Sequence, residues 1–442
     1  MPIEHYMMFG TFAEQRHFIY PAEDTYNGVI FNANMVAHAP GGLAGFLVSR
    51  TQKLSFIIDP LTHAFQHAPR ILYKADGSGT KKAIQTLADL YGEPVASRAG
   101  KDPVTPSDFL DGRTKELFVQ NCLKFQREEV TNRARNHDDC KYFTEDELSG
   151  FDPKALVAPY FFLSEGEYGD WLTVNTQLAA IAVQMRAGSE AIYAEIVIDK
   201  ALLVNQDAIN KIVEQYSTVE LDGYLLWVDQ FSEHDASQTE LQGLLDFCRS
   251  LRDSGRSVIN LHGSYFSVLA AGTLGKAALT GVTHGPEFGE ARGVIPVGGG
   301  IPFAKYYLPI LHQRVLYREM LKILDATNWR TDAATFHANV CDCPVCLETI
   351  DGNIENFSKF GESTPIQRRS KSGIVRIDYP TQEARLRCLK HFLQCKEREF
   401  KSANNDATSL IEDLDKGVRT LRNIIGYEGI KHLLNWKVVL SQ

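Results

Sequence analysis

The sequence predicts an α/β protein built as a (β/α)8 barrel of the TIM type, with a small C-terminal module. Three observations carry this expectation: short apolar runs that recur along most of the chain, helix-period segments between them, and a cysteine cluster that begins only after the last run. Strand-then-helix repetition implies a parallel sheet covered by helices, because strands buried on both faces read as continuous apolar runs.

The runs are "GVIFNAN" (28–34), "KLSFIID" (53–59), "ALVAPYFFL" (155–163), "AIYAEIVID" (191–199), "GYLLWVD" (223–229), "SVINLHG" (257–263) and the weaker "AALTGVTHG" (277–285). Between them lie "TQLAAIAVQMRAGS", "QDAINKIVEQYSTV" and "ASQTELQGLLDFCRSLRDSG", the last ending at Gly255, where a helix C-cap falls. About seven or eight such units fit a closed eight-fold barrel better than an open doubly wound sheet. No internal sequence repeat is evident.

Composition bounds the partners. With 442 residues and 44% hydrophobic content, the chain can bury a large core or two to three domains. No apolar run approaches the roughly 18 residues of a membrane span, and the start "MPIEHYMMFGTFAEQ" has no basic segment leading into an apolar one. A cytoplasmic protein without a membrane partner is therefore expected. A formal net charge of −9 gives no global attraction to polyanions, so a nucleic-acid partner has to be met by a local basic patch.

In a barrel, the C-terminal ends of the strands form the functional face. Asn34, Asp59, Asp229, His262 and His284 all fall there, and Glu195 lies inside its run, facing either the lumen or the helices. A single strand-end Asp commonly caps the next helix and a single His is commonly a core residue; five in register are less easily dismissed, and Asp59, Asp229, His262 and His284 are expected to point into one cavity. Carboxylates and imidazoles gathered in a low-dielectric mouth acquire the shifted pKa values that acid–base, nucleophilic or metal chemistry needs. Trp227, Phe65 and Tyr265 lie near the same strand ends, with Gln230 beside Asp229; aromatic faces next to a carboxylate suit a planar base.

Cys341, Cys343 and Cys346 form a C-x-C-x-x-C cluster, in which one turn of backbone can present three thiolates to a tetrahedral metal. The helix-like stretch "RLRCLKHFLQCKEREF" (385–400) offers Cys388, His391 and Cys395 as a fourth ligand; Cys388 and His391, three apart, share a helix face and compete for it. Four protein ligands close the shell and make such a zinc structural and not catalytic.

A barrel followed by C-x-C-x-x-C and then a helix carrying H-x-L, here "HFL" at His391, resembles the tRNA-guanine transglycosylase superfamily, which includes the queuine and archaeosine tRNA-ribosyltransferases. This chain is similar to a divergent member, of the tRNA type or of the type that inserts 7-deazaguanine into DNA. The resemblance implies that Cys341, Cys343, Cys346 and His391 hold structural zinc. "FIIDPLTHAFQ" (56–66) is similar to the family strand ending in D-S-G-G-F-Q, which makes Asp59 the counterpart of the aspartate beside the exchanged base. By the same analogy Asp59 and Asp229 share the nucleophile and acid–base roles, with His262 and His284 in the same site. The expected partners are tRNA or DNA and a 7-deazaguanine-type base, in a homodimer or a multi-protein system.

The sequence also departs from the family. Where the family's eighth strand ends in a nucleophilic aspartate, "GVTHGPEF" offers Thr283 and His284; the glycine pair of the sixth strand is replaced by "LLWVDQF"; and "DPLTHAFQ" lacks Gly-Gly. Two other readings therefore stand beside base exchange: a catalytically lapsed barrel that binds nucleic acid or serves in assembly, and a metal-dependent hydrolase using the barrel-mouth Asp and His set.

The basic stretch "STPIQRRSKSGIVR" (363–376) carries Arg368, Arg369 and Lys371, candidates for phosphate contact. "RGVIPVGGGIPF" (292–303) follows no nucleotide-binding pattern and reads as a post-strand loop. The expected organisation is a barrel over residues 1–330 with a rim insertion near 97–155, a zinc module over 331–400, and a C-terminal helical segment over 401–442 packed on the barrel.

Overall fold

A computed structural model of the chain describes residues 2–9, 25–49, 54–74, 79–285, 290–295, 303–370 and 373–442. The triple glycine at 298–300 and Lys371 lie outside them.

Eight parallel strands make one sheet: β1 (Glu4–Phe9), β2 (Gly28–Asn32), β3 (Ser55–Asp59), β4 (Leu156–Ala158), β5 (Ile192–Asp199), β6 (Gly223–Asp229), β7 (Ser257–Asn260) and β8 (Gly281–His284), in the order β3-β2-β1-β8-β7-β6-β5-β4. A parallel bridge between Ile57 and Ala155, with the Lys154 N–H donating to the Phe56 carbonyl at 2.8 Å, joins the two edges into a barrel. The architecture is the expected (β/α)8 TIM-type barrel. Its first strand, "EHYMMF", is the element that the apolar runs do not announce, because Glu4 and His5 break the pattern at the start of the chain. β4 takes only three residues of its long apolar run, since Pro159 has no N–H to extend the ladder.

Side chains alternate across each strand, so the lumen is set by parity. Tyr6, Met8, Ile30, Ile57, Val157, Tyr193, Val197, Leu225, Trp227 and Ile259 form one buried core inside the barrel. Asn32, Asp59, Glu195 and Asp229 share that parity, as does Thr283, which is in register with Tyr6. His284, one residue on, faces the helices.

The covering helices show why the sequence folds this way locally. Helix Gln238–Arg252 opens with a capping box between Ser237 and Glu240 and buries Leu241, Leu244, Leu245, Cys248 and Leu251 on one face. Gly243 lets it meet the turn Lys200–Val204: a Cβ there would stand 2.1 Å from the Leu203 carbonyl oxygen. Gly243→Ala is expected to cost about 1–3 kcal/mol by overpacking, read as a lower denaturation midpoint at unchanged slope. Between β3 and β4 runs the longest crossover, containing helix Gly112–Glu128. Its buried Gln126 closes both backbone groups of Val157, accepting from the N–H and donating to the carbonyl, each at 2.8 Å.

Internal packing divides the chain into two units: the barrel, including described residues 27–271 and 277–295, and a second unit including 25–26, 272–276 and the described residues from 303 onward. The second unit holds hairpin β9 (Lys305–Leu308) and β10 (Gln313–Leu316), ribbon β11 (Ser363–Ser370) and β12 (Gly373–Pro380), and helices Gln382–Ser402 and Ala407–Leu440, the latter interrupted at Gly426 by a φ of 72°. Among the described residues, no helix is long and apolar enough to cross a membrane.

Candidate functional site

At the end of β3, Asp59 turns the chain: its Oδ1 accepts from the Leu61 N–H and from the Tyr160 hydroxyl, both at 2.7 Å. Glu195 reaches the same place from within β5, fully buried. Burial pushes both carboxyl groups up, Glu195 well above its usual range with the Asp59 charge adding to the rise, while the bonds from Tyr160 and Leu61 hold Asp59 back. Burial first, and then the neighbouring Asp59 charge, thus favour the protonated form of Glu195. Tyr160, whose hydroxyl is pushed well above its usual range by burial and by both acids, stays a donor.

His63 extends this chain. Its Nδ1 stands 3.0 Å from the Tyr160 hydroxyl, whose proton is committed to Asp59, so Nδ1–H is the donor. The imidazole lies on the Tyr160 ring at 5.4 Å and 27°, and meets Trp227 edge-on at 5.2 Å. Burial first, then His67 and Arg292, push His63 well below the usual histidine range, leaving it neutral. His67 is also lowered by burial, and its Nε2 donates to the Val294 carbonyl at 3.0 Å.

Beside this chain opens a cavity of about 390 Å³ lined by, among others, Asn34, His63, His67, Trp227, Arg292 and Val294, the size and largely apolar character of a small-molecule site. β6 fastens one wall: the Trp227 Nε1–H and the Gln230 N–H donate to the Arg292 carbonyl at 3.1 and 3.0 Å, and the Val294 N–H donates to Asp229 Oδ1 at 2.7 Å. Gln230 takes a positive φ of 51° to make this turn.

The expected convergence of Asp59, Asp229, His262 and His284 on one cavity is thus corrected. Asp59 joins Glu195, Tyr160 and His63, whereas Asp229 serves the wall segment. His262 packs edge-on against Trp227 at 5.0 Å, and His284 meets His5 at 5.0 Å on the helix-facing side because of its parity. Phe65 lies against Tyr91 at 6.4 Å in the helical layer, and Tyr265 is buried at the start of helix Tyr265–Ala271; neither lines the cavity. Thr283 faces the lumen, but its hydroxyl donates to the Asn260 and Leu261 carbonyls. Sequence reasoning missed Tyr160, His63, His67 and Arg292. His63 and His67 lie four apart within and just after "DPLTHAFQ", which was a usable signal; Arg292 sits in a loop and gave none.

The second unit holds the cysteine cluster. Cys341, Cys343, Cys346 and His391 are buried, with ligand atoms all within 4.8 Å of one another. His391 Nδ1 stands 3.4 Å from the sulfurs of both Cys343 and Cys346; tetrahedral zinc with ordinary bond lengths places nitrogen and sulfur ligands about 3.6 Å apart. The other imidazole nitrogen, Nε2, donates to the Tyr307 carbonyl at 2.7 Å, which fixes the tautomer and frees Nδ1 for a metal. Tyr306 stacks on the imidazole at 4.0 Å, with its hydroxyl 3.0 Å from the Cys346 sulfur. Cys388 is outside the cluster, its thiol bonded to the Phe360 carbonyl at 3.3 Å. The sulfur that approaches instead is Cys395, one helical turn beyond His391 and 3.9 Å from Cys341. Arg368 and Arg369 lie on β11, paired with Val375 and Ile374 of β12.

No protein-family model matches the chain, and no curated protein matches its sequence. Among solved structures it is similar to xylanase B from Clostridium stercorarium F9, at 8% identity over 64% of this chain and 85% of that one, with a TM-score of 0.36, a likeness too slight to bear on function. Fold and site together define a TIM-type barrel protein with an acidic pair in its lumen and a buried Cys3His cluster that can hold a metal ion such as zinc.

Proposed function

We propose that the protein is a transglycosylase-like enzyme acting on the glycosidic bond of guanine in tRNA or DNA, exchanging the base for a 7-deazaguanine. The observation that carries this reading is the Asp59–Glu195 pair, linked through Tyr160 to His63, which with Trp227 lines a largely apolar cavity. Cleavage of an N-glycosidic bond builds positive charge on the ribose and negative charge on the leaving base. A carboxylate facing the first and a proton source for the second are the groups such a reaction needs. Asp59, at the strand end, is the reacting carboxylate; Glu195, deeper in the lumen, whose protonated form burial favours, is the proton source; Tyr160 donates to Asp59 and His63 to Tyr160.

In this reading the Cys3His cluster holds a structural zinc, bound by Cys341, Cys343, Cys346 and His391, and the basic stretch 363–376, with Arg368, Arg369 and Lys371, is proposed to meet the phosphate backbone. The zinc organises the second unit and takes no part in bond breaking. A hydrolase using a barrel-mouth metal has little to build on, since the only group of three or more ligand residues found among the described residues is the Cys3His cluster.

The test is incorporation of labelled guanine into tRNA and into double-stranded DNA. Wild-type protein is expected to label one polymer, and Asp59→Asn to lower the rate by about 100-fold or more while the zinc content is unchanged. A wild type that labels neither polymer would overturn the enzymatic reading. The second reading, a lapsed barrel that binds nucleic acid, would then stand. It is favoured by Thr283, whose hydroxyl is tied to backbone where the related family places its nucleophile.

A further inference from the structure

The Cys3His cluster has one donor more than a closed tetrahedral shell can use. Cys341, Cys343, Cys346 and His391 supply four ligand atoms. Cys395 brings a fifth: its sulfur lies 3.9 Å from that of Cys341 and 3.7 Å from His391 Nδ1, the nitrogen free to bind a metal. Two thiolates on one tetrahedral zinc stand about 3.8 Å apart, and a thiolate and an imidazole about 3.6 Å, so both separations are those of ligands to a common ion.

The helix accounts for this crowding. His391 and Cys395 are four residues apart in Gln382–Ser402 and both are buried, so one helix face presents an imidazole and a thiol to the same place. Cys388, on the same helix, shows what a merely packed thiol does there: it bonds the Phe360 backbone carbonyl at 3.3 Å. The Cys395 sulfur has side-chain partners only within the cluster, Cys341 and His391, among the described residues. His391 is the better placed of the two, with Nδ1 3.4 Å from the sulfurs of both Cys343 and Cys346, while Cys395 approaches from the side of Cys341.

We propose that Cys395 is a reserve ligand that exchanges with His391. The cluster then holds a borderline cation such as zinc through three sulfurs and one nitrogen, and a softer cation such as cadmium through four sulfurs. This rests on the reading that the cluster binds metal, and goes beyond it by naming a second ligand set and the class of ion that selects it. Imidazole suits borderline ions and thiolate soft ones. Rotation about the Cys395 Cα–Cβ bond, with the imidazole drawn back toward the Tyr307 carbonyl that its Nε2 already bonds, changes one donor for the other. The thiol proton of Cys395 is released as its sulfur binds.

Full-length protein loaded in turn with cobalt and with cadmium tests this. Sulfur-to-cobalt charge-transfer absorption grows with the number of bound thiolates, and the cadmium NMR resonance moves downfield with each. The wild type is expected to show three thiolates on cobalt and four on cadmium. Cys395→Ser is expected to leave the cobalt spectrum unchanged and to shift the cadmium resonance upfield, to the three-sulfur position. His391→Ala is expected to bind cobalt through four thiolates, with a stronger charge-transfer band. A cadmium resonance at one position in wild type and Cys395→Ser overturns the exchange, and this comparison leaves all four ligands of the zinc reading in place. Three thiolates on cobalt in a folded His391→Ala protein overturn it as well. Four on cobalt in the wild type would make Cys395 the resident ligand and overturn the exchange from the other side. A wild type that binds neither ion overturns the metal centre and this inference together.

Discussion

Replacing Cys343 with serine is expected to reduce bound zinc from about one equivalent to none and to unfold the second unit, because in a closed structural site the free energy of metal binding is free energy of folding. The measurement is elemental analysis of protein purified without chelator, paired with a thermal melt. Cys388→Ser, whose thiol bonds the Phe360 carbonyl, is expected to keep its metal. His391→Ala is expected to weaken binding less than Cys343→Ser, since the Cys395 sulfur, 3.9 Å from that of Cys341, can move into the vacated corner. Wild-type protein without stoichiometric metal, or a Cys343→Ser variant that retains it, would refute the assignment.

The second large effect is expected at Glu399. Its carboxylate accepts from the Tyr307 hydroxyl at 2.5 Å and from His312 Nδ1 at 2.6 Å, and pairs with Lys396 at 2.8 Å. Lys396 is completely buried. Glu399→Leu takes this carboxylate away from the buried ammonium and is expected to cost about 3–5 kcal/mol, whereas adding Lys396→Met to it should restore most of the loss. The pH dependence follows in sign. Lys396 and His312 outweigh the burial that opposes ionisation and hold Glu399 at about 2, below its ordinary 4.5. A depressed carboxyl contributes stability that is full above pH 4.5 and is lost as pH falls toward 2, amounting to about 3 kcal/mol for this shift. Subtracting the stability–pH profile of Glu399→Gln from that of the wild type isolates this contribution; a difference that does not shrink over that interval would refute it.

What the sequence made legible follows from what periodicity encodes. Strands buried on both faces leave apolar runs, so β2, β3, β5, β6 and β7 were visible, and C-x-C-x-x-C is local enough that three ligands were certain candidates before any fold was known. β1 was hidden by its Glu and His. The mouth was only half legible, because strand-end position says that a residue is near the functional face but not which way it points. Asp59 and His284 looked alike until the register put one in the lumen and the other against the helices. Glu195 was left open for the same reason, and pairing with Asp59 could not be inferred from residues 136 positions apart. Arg292 could not be found at all, since its place depends on bonds from Trp227, Gln230 and Asp229, which belong to another part of the chain.

The burial of the Cys3His cluster has a kinetic consequence. Cys343, Cys346 and His391 are wholly shielded and Cys341 nearly so, under the ring of Tyr306. A chelator in solution has no direct route to an ion held there and must wait for the segment Pro344–Ile350 or the helix Gln382–Ser402 to open. The rate at which such an ion escapes is then set by the protein's own breathing and not by the strength or concentration of the competitor, which makes metal release a clock for local unfolding of this unit.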